Sequence, residues 1–286
     1  MASTRTSSGG RRSATLGIDL ASQPENTGAC RIDWIGELGV VQPLPSEELT
    51  DSAVLKLILN PAITKVGIDA PFGWPIPFTD ALLAYRTLGV WPDGLDSREV
   101  QATMELRVTD TEVWALLGKK PLSVSTDRIA YAAMRCARLL ATLVREGVPL
   151  DRSGEGRMVE VYPAAALRCW GLSPGLHAQD PGSYKGKKPE ARRRRERLVS
   201  QLQKEANGWL QIPSQVIAMC CDRDDHLDAL LCALVARAAD LNRLRPVGDL
   251  ERARQEGWIR LPWPERLARL GETEAEYLIA AHDASR

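Results

Sequence analysis

The sequence has 286 residues, and its 37 basic and 37 acidic side chains give a formal net charge of zero. A protein that is basic throughout is therefore excluded, and a nucleic-acid partner would have to bind a local basic patch. The longest apolar stretch, residues 229–236, is too short to span a bilayer, so we expect no membrane partner. The six cysteines form no C-x-x-C pair and predict no disulfide framework, which favours a cytoplasmic location.

Composition divides the chain into three parts. Residues 1–14 are rich in Ser, Arg and Gly, lack an apolar segment and predict a disordered tail. Residues 15–245 predict one α/β domain, with an irregular Pro-, Gly- and Trp-rich insertion near 71–124. Residues 246–286 predict a C-terminal helical appendage.

Three short apolar segments, 15–20, 27–35 and 37–44, open the domain. Their spacing predicts three antiparallel strands that form a meander. Ser46 is the predicted N-cap of the helix that follows, and this helix ends before Pro61.

Buried strands then alternate with helices. Because a helix crosses over before it, we expect the strand at 63–69 to run parallel to the first strand. The remaining predicted elements are a helix over 126–146, a buried strand over 157–162, a short helix opened by Pro163, a very basic helix over 185–206 and a last helix over 224–241. This order predicts an α/β fold with a mixed sheet, in which a three-stranded antiparallel meander is joined to parallel strands and flanked by helices. That is the topology of the RNase H-like fold.

Two of the predicted parallel strands end in the same tripeptide, Gly-Ile-Asp, at 17–19 and 67–69. Side chains alternate along a strand, so each Asp shares a face with the Gly two residues before it, and that Gly leaves room for another element. We therefore expect Asp19 and Asp69 at the carboxyl ends of neighbouring strands, where open α/β sheets bind ligands. A turn-forming role is the alternative for Asp69.

Further acidic residues occur in the third buried strand and in the last helix. Glu160 lies among apolar residues, where a charge must be coordinated or paired, for example with an arginine. Asp225 and Asp228 are three residues apart, so they share a helix face, which continues with small apolar side chains. We expect this face to pack against the space left by the two glycines. For Asp224, which begins the same helix, a capping role without a part in the site is the alternative.

Carboxylates from separate elements favour Mg²⁺ or Mn²⁺, because these ions prefer oxygen ligands. Two such ions about 3.5–4 Å apart can promote phosphodiester hydrolysis. We predict Asp19, Asp69 and Asp228 as metal ligands, and Asp225 and Glu160 as further catalytic candidates. Asp69 and Glu160 remain alternatives for the middle ligand.

Five motifs occur in a fixed order: GIDLA at 17–21, GIDAPFGWP at 67–75, RVTD at 107–110, VEVYP at 159–163 and DHLDAL at 225–230. Together they resemble domain-of-unknown-function family 429, whose members are described as predicted RNase H-like nucleases. The resemblance covers about residues 15–260. The last helix is also similar to that of RuvC-type resolvases. This resemblance implies metal binding by Asp19, by Asp69 or Glu160, and by Asp225 or Asp228.

Cationic and hydroxyl side chains near these motifs are candidates for substrate binding. Arg107 is a planar donor suited to phosphate, or else forms a structural ion pair with a nearby acid. Arg128 opens the predicted helix over 126–146. Tyr184 and Lys185 begin a basic run that extends to Arg197. This run can neutralise several phosphates, or it is a solvated helix face.

The predicted site favours a metal-dependent nuclease acting on DNA or RNA. One alternative is a non-catalytic nucleic-acid- or protein-binding module that retains the fold, and another is a small-molecule phosphotransferase or phosphatase. The chain lacks a G-x-x-x-x-G-K-[ST] loop, and its first strand continues as Asp-Leu-Ala and not as the Asp-x-Gly phosphate turn of actin-like and sugar-kinase relatives, which weighs against an ATP-using phosphotransferase. His226 is a candidate general base or ligand, or a helix-start residue without a direct role.

Overall fold

The computed structural model describes residues 12–44, 48–92, 97–118, 120–176 and 182–278. Most of the predicted tail and the predicted cap Ser46 lie outside these ranges. The six cysteines are free. Among the described residues, no helix combines the length and the apolar character needed to cross a membrane.

The described residues form an α/β protein around a six-stranded mixed sheet. The strands are β1 (Arg12–Asp19), β2 (Gly28–Ile35), β3 (Leu38–Gln42), β4 (Ile63–Asp69), β5 (Met158–Glu160) and β6 (Leu210–Gln211). Their order across the sheet is β5-β4-β1-β2-β3-β6. β1, β2 and β3 are antiparallel neighbours, whereas β4 is parallel to β1, β5 to β4 and β6 to β3. The predicted meander with added parallel strands is confirmed, and β6 is a short strand that was not predicted.

Helices follow or separate these strands. They are α1 (Asp51–Leu59), α2 (Ile76–Leu88), α3 (Arg98–Glu105), α4 (Val108–Leu117), α5 (Ile129–Arg145), α6 (Pro163–Cys169), α7 (Pro189–Glu205), α8 (Ser214–Asp222), α9 (Asp224–Asp240) and α10 (Leu250–Glu256). Short 3-10 helices lie at Pro24–Asn26 and Leu267–Gly271.

Several boundaries differ from the prediction: α5 and α7 begin three and four residues later than expected, β5 is shorter, and the starts of β1 and α1 differ as well. β1 begins at Arg12, three residues before the predicted start of the domain, and it pairs with β2 from that residue onward. α1 begins at Asp51, and the Thr50 side chain caps it by accepting a hydrogen bond from the Ala53 amide at 3.3 Å.

The insertion, expected to be irregular, contains α2, α3 and α4. The prolines and glycines among its described residues lie at or outside the helix ends and do not interrupt the helices. Pro77 is in the first turn of α2, where a missing amide costs nothing. Gly89 and Gly118 end α2 and α4 in the left-handed conformation, with φ of 67° and 68°.

Helices cover both faces of the sheet, and the alternation of side chains along β1 decides which face each residue meets. Leu16 and Ile18 belong to the core formed with α1 and α5. Gly17 and Asp19 point to the opposite face, where α9 crosses β1 and β4. Residues 227–239 of α9 are all buried, so a charged side chain within this stretch needs a partner.

The chain after α9 packs against the end of the sheet. Ile259 forms a parallel bridge with Glu160, and Leu244 forms an antiparallel bridge with Pro262. Trp258 and Ile259 are buried, and Ile259 packs with Val113 of the insertion and with α6. Leu267 and Leu270 belong to the main core, so the described part of the expected C-terminal appendage is joined to the domain.

Candidate metal centre

Three carboxylates meet where β1, β4 and α9 come together. Asp19 and Asp69 are the last residues of adjacent parallel strands and are directly paired in the sheet. Asp228 lies in the second turn of α9 and is 0% exposed. One oxygen from each carboxylate lies within 4.8 Å of the other two. The three residues expected to be metal ligands are thus brought together.

Close contact between the sheet and the backbone of α9 makes this convergence possible. A Cβ added at Gly17 would lie 1.9 Å from the Ala229 carbonyl oxygen, and one at Gly67 would lie 2.3 Å from a carbonyl oxygen of the next helix turn. Gly28, opposite Asp19 in β2, would meet the α9 backbone at 2.3 Å. Any side chain at these positions would push α9 away. α9 therefore uses the room that the two Gly-Ile-Asp segments were expected to leave.

The carboxylates of Asp19 and Asp69 have no hydrogen-bond or ion-pair partner among the described residues. Burial raises the pKa of Asp19 well above its usual range, and the charges of Asp69 and Asp228 raise it further. Burial also raises the pKa of Asp69 to about 7, against the opposing charge of Lys185 and with Asp228 adding to the rise. A cation placed between these carboxylates would favour their ionised forms.

Asp228 is contacted by the Tyr184–Lys185 pair. The Tyr184 hydroxyl donates to Asp228 Oδ1 at 2.7 Å, and the Lys185 ammonium forms an ion pair with Oδ2. Burial raises the pKa of Asp228, and Lys185 opposes this rise. The Lys185 side chain is 43% exposed, so it reaches the buried carboxylate from the surface. Two residues predicted to bind substrate therefore contact the carboxylate cluster itself.

Arg195 holds this pair in place. It is 2% exposed and donates to the carbonyl oxygens of Tyr184 at 2.7 Å and Gly186 at 2.9 Å. It also donates to the carbonyl oxygens of Cys221 at 2.9 Å and Asp222 at 3.0 Å, just before α9 begins. One arginine of the basic run is thus a buried clamp between the Tyr184–Lys185 segment and α9.

The exposed part of the basic run is partly neutralised by neighbouring acids. Arg192 pairs with Glu196 at 3.0 Å and with Asp222 at 2.5 Å, and Arg193 pairs with Glu190 at 3.1 Å. All of these side chains are about half exposed or more. Phosphate binding by this run stays a prediction.

Glu160 is not part of the cluster. It pairs with Ile68, the residue before Asp69, so its side chain leaves the sheet on the opposite face. Its Oε1 accepts from Arg107 at 2.7 Å, and its Oε2 accepts from Arg107 at 3.0 Å and from the Phe72 amide at 2.9 Å. Of the two alternatives for the middle ligand, the structure brings Asp69 to the other carboxylates.

Arg107 is 2% exposed, and every nitrogen of its guanidinium is engaged. Besides Glu160, it donates to both oxygens of Asp110, at 2.9 and 3.0 Å, and to the Glu256 carbonyl oxygen at 3.2 Å. Of the two predicted roles of Arg107, phosphate binding and a structural ion pair, the structure has the ion pair. A phosphate contact would require breaking these bonds.

The family model described as Protein of unknown function (DUF429) matches residues 17–252. The chain belongs to this family. No curated protein and no solved structure matches the chain. The matched range contains the three converging carboxylates and the Tyr184–Lys185 pair, and it stops before Glu256.

The remaining predicted site residues of this DUF429 protein lie outside the three-carboxylate cluster. Asp225 pairs with Arg223, and its Oδ1 accepts from the His226 amide at 2.8 Å. Burial lowers the pKa of His226, against the charge of Asp225. Arg128 is exposed at the start of α5, next to the cleft described below.

Glu256 is a buried acid that sequence reasoning did not single out. It is 2% exposed, and its carboxylate accepts from the Ile76 amide at 2.9 Å and from the Val108 amide at 3.2 Å. One carboxylate therefore caps the first turns of both α2 and α4, where a negative charge is stabilised. The sequence signal was an acid two residues before the apolar Trp258-Ile259 segment.

A small cleft with a volume of about 80 Å³ lies beside Asp69, and Arg107, Asp110 and Glu160 also line it. Most of its wall is apolar, with contributions from Pro71, Leu122, Ile129 and Tyr162.

Proposed function

We propose that this protein is a metal-dependent nuclease that hydrolyses phosphodiester bonds of nucleic acid, with Mg²⁺ or Mn²⁺ held by Asp19, Asp69 and Asp228. One observation carries the proposal. Three carboxylates converge at the ends of two parallel strands, and two of them have no partner among the described residues. Acids held close together without neutralising partners destabilise a fold, so their presence favours a functional role.

The fold we assign to this nuclease is RNase H-like. A three-stranded antiparallel meander, two further strands parallel to β1 and a buried helix that carries the last acid support the assignment. Because a fold does not by itself imply an activity, the proposal rests on the carboxylates.

The donor set fits a hard divalent cation. All three donors are carboxylate oxygens, which suits Mg²⁺ and Mn²⁺ better than softer metals. When bound, the cation supplies Lewis-acid activation of the phosphodiester and of the attacking water. The protein contributes the placement of the ligands, since the glycines admit α9, and Tyr184 and Lys185 fix the orientation of Asp228.

The surroundings of the cluster suit a polyanionic substrate. Lys185 approaches it from the surface, and Lys187 and Lys188 continue an exposed basic segment into α7. Such contacts bind phosphates in a salt-dependent manner.

A cleavage assay tests this proposal. The purified protein is incubated with single- and double-stranded DNA and RNA in Mn²⁺, Mg²⁺ or EDTA. We expect cleavage that requires the metal and that falls by more than about 100-fold in Asp19→Asn and Asp228→Asn, because each loses a metal ligand.

Asp240→Asn is the matched control, because it changes a partly exposed acid at the far end of the same helix. We expect it to cleave like the wild type. If the wild type neither cleaves any substrate nor binds Mn²⁺, the proposal is wrong. Nucleic-acid binding that persists in EDTA without cleavage would support the non-catalytic binding module instead.

A further inference from the structure

We infer that Lys185 is a built-in second cation of the carboxylate cluster, so that the cluster takes one divalent ion and Lys185 contacts the substrate phosphate. The inference rests on the proposed function and deepens it. Its starting observation is that the Lys185 ammonium already forms an ion pair with Asp228, a carboxylate with no exposed surface.

Charge balance favours a single metal ion. Metal ligands bind as carboxylates, so Asp19, Asp69 and Asp228 together carry three negative charges when the site is loaded. Lys185 neutralises one of them, which leaves two, and one divalent ion completes the balance. A second divalent ion would leave this half-buried site with two excess positive charges before any substrate binds.

The acids that would support a second ion are already engaged elsewhere. Glu160 lies on the opposite face of the sheet and is held by two hydrogen bonds from Arg107. Asp225 is paired with Arg223. Releasing either carboxylate would leave a buried or half-buried arginine without its partner, which is costly.

The position of Lys185 suits contact with a phosphate. Its side chain is 43% exposed, and an ammonium has three donors, of which one serves Asp228. The backbone on either side of it is held by Arg195 through the carbonyl oxygens of Tyr184 and Gly186. Asp228 accepts one bond at each oxygen and keeps further lone pairs for a metal ion.

Metal stoichiometry is the first test, and it requires no variant. Mn²⁺ is titrated into the purified full-length chain without substrate, and bound ion is measured by calorimetry and by electron paramagnetic resonance. We expect one ion per chain. Two ions per chain with cleavage intact would overturn the role of Lys185 but leave the nuclease proposal standing. No bound ion and no cleavage would overturn both.

Substitution of Lys185 is the second test. Lys185→Met removes a positive charge next to the ligands, so we expect Mn²⁺ to bind about tenfold more tightly or better, while cleavage is lost. Lys185→Arg keeps the charge and is expected to retain near wild-type Mn²⁺ affinity and part of the cleavage. Lys56→Met, on the exposed side of α1, is the matched control and is expected to change neither.

Weaker Mn²⁺ binding in Lys185→Met would overturn the inference, because it would mean that Lys185 only holds Asp228 in place. Thermal unfolding of each variant in EDTA separates this outcome from a folding defect. If Lys185→Met does not fold, the wild-type stoichiometry together with Lys185→Arg still decides the question.

Discussion

Two clusters of acids lie on opposite faces of the same sheet, one fully buried and one partly buried, and they differ in how their charge is neutralised. On one face Glu160 and Asp110 share the guanidinium of Arg107, and each of these three side chains is at most 4% exposed. On the other face Asp19 and Asp69 have no direct partner among the described residues, and a single lysine contacts Asp228.

The two arrangements have different consequences. The ion pairs of Arg107 with Glu160 and Asp110 connect the insertion to β5, at the edge of the sheet. We therefore expect these acids to stabilise the fold. Acids that repel one another lower stability and are retained where a ligand neutralises them. Burial of a charged side chain therefore does not by itself indicate a functional site. Acids that lie together without enough basic partners are the better indication.

The largest effect is expected from breaking the paired cluster. Arg107→Met leaves Asp110 and Glu160 buried without their cation, so we expect the free energy of unfolding to fall by about 3–5 kcal/mol. Urea denaturation followed by circular dichroism measures this loss. Arg168→Met, an exposed position on α6, is the matched control and is expected to change stability by less than about 0.5 kcal/mol.

A stable Arg107→Met protein with reduced cleavage would contradict this interpretation. It would indicate that Arg107 contacts phosphate, which is the other role that the sequence predicts for it. Arg107→Lys keeps the charge but cannot form the same forked bonds, so an intermediate loss of stability is expected.

A second effect is expected where Gly17 of β1 contacts the backbone of α9, the contact that brings Asp228 to the other two carboxylates. Gly17→Ala puts a methyl group into the α9 backbone, so we expect a loss of about 1–3 kcal/mol together with weaker Mn²⁺ binding. Gly36→Ala is the comparison, because it meets no atom but has a φ of 63°. We expect it to cost about 1–2 kcal/mol through backbone strain alone and to leave Mn²⁺ binding unchanged. Equal effects of the two variants on metal binding would contradict the close-packing explanation.

The converging carboxylates could be predicted because each belongs to a local pattern. Gly-Ile-Asp at the end of β1 and of β4 fixes both the position and the face of each Asp, and the stripe of small residues that follows Asp228 predicts its burial. The meander and the parallel strands followed from the same alternation of apolar segments.

Register and long-range pairing could not be read from the sequence. Glu160 lies in an apolar strand whichever face it points to, and only its pairing with Ile68 places it away from Asp19 and Asp69. Glu256 caps helices that begin about 150 to 180 residues earlier in the chain, and no local pattern records such a contact. The helices of the insertion were missed because Pro and Gly also punctuate loops.

The last effect is expected from removing the charge of one acid in the carboxylate cluster. The pKa of Asp69 is raised from its usual 3.8 to about 7, so the folded metal-free protein holds this proton more tightly than the unfolded chain does. The stability of the metal-free wild type should therefore fall as the pH rises between these two values. Asp69→Asn cannot ionise and is expected to lack this fall.

At pH 8 in EDTA, Asp69→Asn should thus be more stable than the wild type, and most of the difference should be gone near pH 4. Saturating Mn²⁺ should reverse the order, because only the wild type then gains the binding energy of a complete ligand set. Thermal unfolding from pH 4 to pH 8, with and without Mn²⁺, measures both differences, and Asp240→Asn should follow the wild type throughout. A variant that is less stable than the wild type in EDTA at pH 8 would mean that Asp69 stabilises the fold. The acids on both faces of the sheet would then stabilise the fold, and the proposed difference between them would be wrong.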